Sequence, residues 1–196
     1  MNRSYLKISP PMTTASYPTP AGEVLLAASG TALTGLWFTG QRHFARTLPR
    51  PLPPPGDDPA LTAAKRWLTA YFAGKRPSPS ELELAPDGTE FQTAVWRVLL
   101  GIPYGTVVSY GEVAQEAARL LGRKSSSPRA AGAAVGSNPI SIVIPCHRVI
   151  GAGGALTGYA GGLERQIALL NFEGVDLRDP FRRIIPPQVR RGPHHP

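Results

Sequence analysis

The sequence predicts an α/β chain in two parts, a small N-terminal α/β domain and a C-terminal domain built on a helix-turn-helix. Three observations predict it. A β-like stretch over residues 16–40 is followed by a helical one over 60–74. Polar, proline-rich segments then interrupt the chain, and beyond them two helix patterns are joined by the polar turn Gly122–Ser127.

The elements follow in order. EVLLAAS and ALTGLWF flank the turn-prone Gly30, which predicts a hairpin. PRPLPPPGDDP, residues 49–59, is a connector that cannot be helical. ALTAAKRWLTAYFAG, 60–74, places Leu61, Ala64, Trp67, Leu68, Tyr71 and Phe72 at helical spacing and ends on Gly74. The polar run KRPSPSELELAPDG puts a boundary near residues 84–88, giving domains 1–86 and 87–178 with a basic, disordered tail over 179–196. TEFQTAVWRVLLGI is an amphipathic helix, and PYGTVVSY is a turn with a short extended piece. Ser109 caps YGEVAQEAARLLG, and Ser127 caps PRAAGAAVGS with Pro128 at its first position. ISIVIPCHRVI, 140–150, reads as an apolar, β-branched strand. A glycine-rich loop, GAGGALTGYAGG, and a last helix, LERQIALLNFEG, close the fold.

Charge and cysteine usage narrow the function. Of 196 residues, 21 are Lys or Arg and 13 Asp or Glu, a net charge of +8 that favours a nucleic acid or another anionic surface. Residues 117–163 hold no acid, yet contain Arg119, Arg123, Lys124, Arg129 and Arg148. A single cysteine forbids an intramolecular disulfide and fits a reducing, cytoplasmic setting. No metal and no cofactor are expected, because a multi-cysteine zinc site is impossible and only four histidines are present. No run is long enough to span a bilayer.

A lone cysteine in an apolar strand is usually a small buried hydrophobe. Around Cys146, however, Pro145 interrupts the strand, and His147 and Arg148 set polar groups in an apolar run, where burial costs energy unless they have partners. Such neighbours lower a thiol pKa or supply a base, which points to a nucleophile.

The segment SNPISIVIPCHRVIGAGGALTGYAGG closely resembles the active-site signature of the O6-alkylguanine-DNA alkyltransferases. The resemblance extends back through FQTAVWRVLLGIPYGTVVSYGEVA and forward to ALLNFEG, about residues 88–176. It implies a ribonuclease H-like N-terminal domain and a winged helix-turn-helix DNA-binding domain. It also implies single-turnover repair: a damaged guanine is flipped from duplex DNA and its O6-alkyl group moves to Cys146. On this resemblance His147 activates the thiol through a water, and Glu173 orients the imidazole. Tyr159 stabilises the departing purine, and Asn138 ties the recognition helix to the Cys146 strand. Tyr110 presses on the 3′ phosphate. Arg129 fills the gap left by the base, with Ala130, Arg123 and Lys124 also on the DNA. Val149, Gly161 and Val135 line the guanine site. The partner implied is double-stranded DNA carrying O6-alkylguanine, bound by a monomer that can cluster on DNA, with O4-alkylthymine a second substrate. Arg148 is expected to be structural.

Two departures stand out: Gly122–Ser127 is longer than the family's usual turn, and Ala160 stands where relatives often carry serine. Three rival readings are weaker. A catalytically dead damage sensor would lack Cys146, and a cysteine hydrolase would need a direct Cys–His pair, awkward for neighbours on a strand. A helix-turn-helix regulator leaves Pro-Cys-His-Arg unexplained.

Overall fold

The computed structural model describes residues 11–180. Most of the expected tail therefore lies outside the described residues. Three antiparallel strands in sequential order open the chain: β1 (Met12–Thr19), β2 (Gly22–Ser29) and β3 (Ala32–Phe38). The expected hairpin is β2–β3, turning at Gly30 with a φ of 61°, a conformation that favours glycine. Only the end of β1, from Ser16, fell in the β-like stretch, because MTTASYPT is polar and holds Pro18, which an edge strand tolerates. Helix α1 (Pro59–Phe72) packs across all three strands through Leu61, Ala64 and Leu68.

Both edges of this sheet are covered, which removes a template for aggregation. The proline-rich connector lies on β1, where Thr14 N–H donates to Pro54 O at 2.9 Å and Gly56 N–H to Thr14 O at 3.0 Å. On β3, Leu33 pairs with the segment around Glu83–Ala85. Leu36 pairs with the segment before the cysteine: its N–H donates to Pro139 O, and its carbonyl accepts from Ser141 N–H, both at 2.8 Å. The N-terminal sheet thus fixes the chain five residues ahead of Cys146.

The C-terminal half is helical. α2 (Glu90–Leu100), α3 (Tyr110–Leu120) and α4 (Pro128–Gly136) pack on one another, and α5 (Leu163–Phe172) closes the chain. Thr89 with Gln92 and Ser109 with Glu112 form capping boxes, and Ser127 Oγ accepts from Ala130 N–H at 3.1 Å. Between α3 and α4 the longer turn is exposed, with Gly122 at a φ of 63°. Arg123 reaches back to Glu90 at 3.1 Å, an exposed pair worth little in water. The β-structure of this half is slight: β4 (Val108–Ser109) runs parallel to β5 (Val149–Ile150).

The expected strand over 140–150 is largely replaced by bends and a 3-10 turn at Cys146–Arg148, leaving only β5 extended. The cause is local. Pro139 and Pro145 lack a donor, Ile142 takes a φ of 67°, and the Asn138 side chain claims the backbone groups a ladder would use. Its amide donates to Ile144 O at 2.8 Å, and its oxygen accepts from Ile140 N–H at 3.0 Å.

One continuous apolar cluster joins the two halves, from Leu26, Leu36 and Leu68 through Val95 and Leu99 to Ile144. A single cooperative unfolding transition is therefore expected, with fluorescence and far-UV circular dichroism melting together. Leu36→Ala should lower that one transition by about 2–5 kcal/mol. Two separated transitions in the variant would show that the halves are energetically independent.

Candidate active site

Cys146, His147 and Arg148 lie on one 3-10 turn, at 3 %, 0 % and 8 % exposure. Successive residues there splay by about 120°, so the thiol and the imidazole leave the backbone in different directions. Two side chains fix this turn. Asn138 Nδ2 lies 3.0 Å from Cys146 Sγ. Gln166, wholly buried on α5, donates from Nε2 to His147 O and Val149 O, each at 3.1 Å.

Glu173 caps α5 and is the centre of the buried polar cluster. Its Oε1 accepts from Tyr71 Oη at 2.7 Å, His147 Nε2 at 2.9 Å and Arg148 Nη2 at 2.8 Å. Its Oε2 accepts from Arg148 Nε at 2.8 Å and Gly105 N–H at 3.1 Å. Arg148 also donates from Nη1 to Ile102 O at 2.6 Å. Burial by itself would raise the Glu173 pKa; the His147 hydrogen bond and the Arg148 fork outweigh it and hold the carboxyl well below its usual range.

This arrangement sets the state of the imidazole. Burial lowers the His147 pKa despite the Glu173 hydrogen bond, so the ring is neutral. Nε2 carries the proton donated to the carboxylate, and the lone pair sits on Nδ1, which has no hydrogen-bond partner among the described residues. A neutral imidazole is thus oriented by a carboxylate, with its acceptor nitrogen unspent.

The polar neighbours of the thiol do not lower its pKa. Burial pushes the Cys146 pKa up to about 11; the Asn138 hydrogen bond and the local backbone N–H groups offset only part of that rise. At neutral pH such a group is thiolate in roughly one molecule in ten thousand, against a few per cent for a free cysteine. Cys146 rests as a thiol.

Tyr159 is 8 % exposed, and its hydroxyl has no partner among the described residues. Burial raises its pKa well above the ordinary value, so it is a donor. Gly161 has a steric reason: a Cβ there would lie 2.4 Å from the Tyr159 ring. Val149 and Val135 are buried nearby in the chain's core, and the Val149 carbonyl is already taken once, by Gln166. Tyr110 sits over Gly132 of α4 and donates to Thr157 O at 2.8 Å. Arg129 and Ala130 are exposed in the first turn of α4, and Lys124 is exposed beside them in sequence.

Sequence reasoning missed Tyr71, Gly105 and Gln166, and understated Arg148. Tyr71 read as a core aromatic on α1, and nothing local shows that its hydroxyl meets Glu173, 102 residues away. Gln166 did carry a signal, a polar residue on the apolar face of α5.

The two depressed pKa values fix the sign of the pH dependence. His147 binds a proton more readily unfolded than folded, so stability is lost as pH falls below its ordinary 6.5. Glu173 adds to the loss below its ordinary 4.5. Thermal melts should be flat between about pH 7 and 8, fall between pH 6.5 and 5, and fall again above about pH 9, where the Cys146 thiol ionises in the unfolded chain before it does in the folded one. In His147→Gln the fall on the acid side of neutrality should disappear; a slope that persists there would assign it to another group.

Comparison with known proteins gives the family. Residues 12–86 match the 6-O-methylguanine DNA methyltransferase ribonuclease-like domain, and residues 90–175 match the DNA-binding domain of the same family. A methylated-DNA–protein-cysteine methyltransferase of Mycobacterium tuberculosis is 46% identical over 155 residues, 79% of this chain and 87% of that protein. One from Methanosarcina acetivorans is 42% identical over 160 residues, 82% of this chain and 97% of the relative. The crystal structure of the Mycobacterium tuberculosis O6-methylguanine methyltransferase superposes with a TM-score of 0.68 at 43% identity, covering 83% of this chain and 92% of that one. A structure of the same organism's protein in complex with DNA gives 0.67, covering 83% and 91%. With both of its halves matched in order, the chain belongs to the 6-O-methylguanine DNA methyltransferase family.

Proposed function

We propose that this chain repairs DNA by direct reversal, moving the alkyl group of O6-alkylguanine to Cys146 once per molecule. The observation that carries the proposal is a buried thiol beside a neutral imidazole whose orientation is set by a buried, charged carboxylate. His147 Nδ1 takes the Cys146 proton through a water. The thiolate attacks the alkyl carbon, a C–S bond forms, and the C–O6 bond breaks with its electron pair leaving on the purine. The Tyr159 hydroxyl donates to that purine as charge develops. The thioether has no neighbouring group to cleave it, so the chain is consumed.

A stacked base cannot present its O6 substituent to a thiol that is 3 % exposed, so the nucleotide must leave the helix. Arg129 fits the replacement role. A cation in the first turn of a helix opposes the helix dipole, by about 0.3–1 kcal/mol, and among the described residues Arg129 has no acid partner to offset it. Exposed Arg123 and Lys124 face phosphates, and Ala130 lets the backbone of α4 approach the groove. Asn138 holds the α4 end against the Cys146 turn. Tyr110 reaches a 3′ phosphate by exchanging its bond to Thr157 O for one to the nucleic acid. Cys146, Val149, Val135 and Gly161 line the base pocket. Among the described residues no helix is long and apolar enough to cross a membrane, and we place the monomer in the reducing cytoplasm. The domains divide at 86/87, with the tail from 179.

Incubation with O6-methylguanine DNA should add one methyl per chain, localised to Cys146, and Cys146→Ser should add none. Turnover at substoichiometric protein would overturn the single-use mechanism.

Arg129→Ala should slow transfer from duplex DNA strongly and leave transfer from free O6-benzylguanine nearly unchanged. Gly161→Ala, which displaces Tyr159, should slow both substrates. Equal losses for Arg129→Ala on both would make that arginine a support of the fold.

A further inference from the structure

Behind the Glu173 cluster, between the end of α1 and the loop after α2, lies a cavity of about 220 Å³ that the proposed reaction does not use. We propose that it binds a small aromatic carboxylate. Trp67, Tyr71 and Tyr104 contribute flat apolar walls, and prolines complete them. Arg76 and Arg148 also line the cavity, and no Asp or Glu does.

The two cations differ in what they have left to give. Arg148 spends its charge on Glu173, and three of its five N–H groups are engaged there and at Ile102 O. One N–H on each terminal nitrogen stays uncommitted. Arg76 is held at a φ of 50° with its guanidinium carbon 4.8 Å from the Tyr104 ring centroid, and Arg148 lies 5.6 Å from the same ring. Among the described residues Arg76 pairs with no acid. The Trp67 indole N–H is already given to Ser78 O at 2.9 Å. The free donors are therefore guanidinium groups; the rest of the lining is apolar, with the Trp67 and Tyr71 rings stacked on each other at 5.5 Å and Leu100, Ile142 and Val143 beside them.

That combination selects the ligand class. Guanidinium forks match a planar carboxylate. The apolar walls gain from covering a ring, whereas a strongly hydrated tetrahedral anion would lose its water against them. The volume is below that of a drug-sized pocket and suits a single-ring molecule.

The test uses benzoate and the full chain. The Trp67 indole N–H resonance, in 15N-edited spectra, should shift and saturate as benzoate is added. In Arg76→Asn, whose side chain tolerates positive φ, the apparent affinity should fall about tenfold, the worth of one charge-assisted contact. Unmoved Trp37 and Trp96 signals confirm that the variant is folded. A shift that does not saturate, one unchanged in Arg76→Asn, or an equal response to inorganic phosphate would each overturn the assignment. None of these readouts requires alkyl transfer, so failure here is distinct from failure of the repair mechanism.

Discussion

The buried Glu173 carboxylate is the constraint around which the rest of the molecule is arranged. A lone ionised carboxyl in the interior would neutralise itself, because desolvation is worth several kcal/mol or more. Here five hydrogen bonds keep it charged, drawn from α1, the loop after α2 and the Cys146 turn. Those segments are remote in sequence, so the carboxylate can be satisfied only when both halves of the chain are in place. Removing one partner of such a cluster costs far more than the net worth of any one bond, which makes the site a checkpoint on the complete fold. Its charge also balances locally: Arg148 offsets Glu173, and the imidazole is left neutral.

That neutrality, together with burial of the thiol, separates storage from reaction. A cysteine with a depressed pKa would be permanently nucleophilic and exposed to oxidation. Cys146, pushed up to about 11, is nearly inert until a base is aligned. On the proposed mechanism, His147 removes the proton only when substrate has entered and the site is closed to solvent. If, as proposed, the thiol is spent once, low reactivity at rest protects the only copy, and the barrier is lowered by positioning rather than by a standing thiolate.

Much of this was legible in the sequence because it rests on local rules. The caps Ser109 and Ser127, Pro128 at a helix start, Gly30 and Gly174 at turns, and the helical spacing of α1 and α2 all read directly from residue type. The strand expected at 140–150 failed for a physical reason: an apolar, β-branched run is extended only if its backbone groups find a ladder, and Asn138 takes them first. The raised pKa of Cys146 was not legible, because a sequence shows the polar neighbours of a thiol but not its desolvation. Tyr71 was beyond reach, since its hydroxyl acquires a role only through a long-range contact. The alkyltransferase signature pointed to Cys146, His147 and Glu173, while the hydrogen bonds that join them belong to the three-dimensional arrangement.

The distribution of charge pairing shows which surfaces serve the fold and which are left for a ligand. Among the described residues the buried charges are matched, Arg148 to Glu173, and the Gln166 amide N–H groups are given to the carbonyls of the turn. On α4 the opposite holds. Arg129 stands in a first turn without acid, Ala130 and Ala133 present no donors, and Gly132 admits the Tyr110 ring. A surface built to read bases would carry amide or guanidinium forks at those positions. One stripped to alanine and glycine, with cations at its start and beside it, gains affinity from phosphates and little from sequence. On the proposed function that is the recognition a search for damage requires, since a lesion can lie in any sequence and is there identified by fitting the pocket at Cys146.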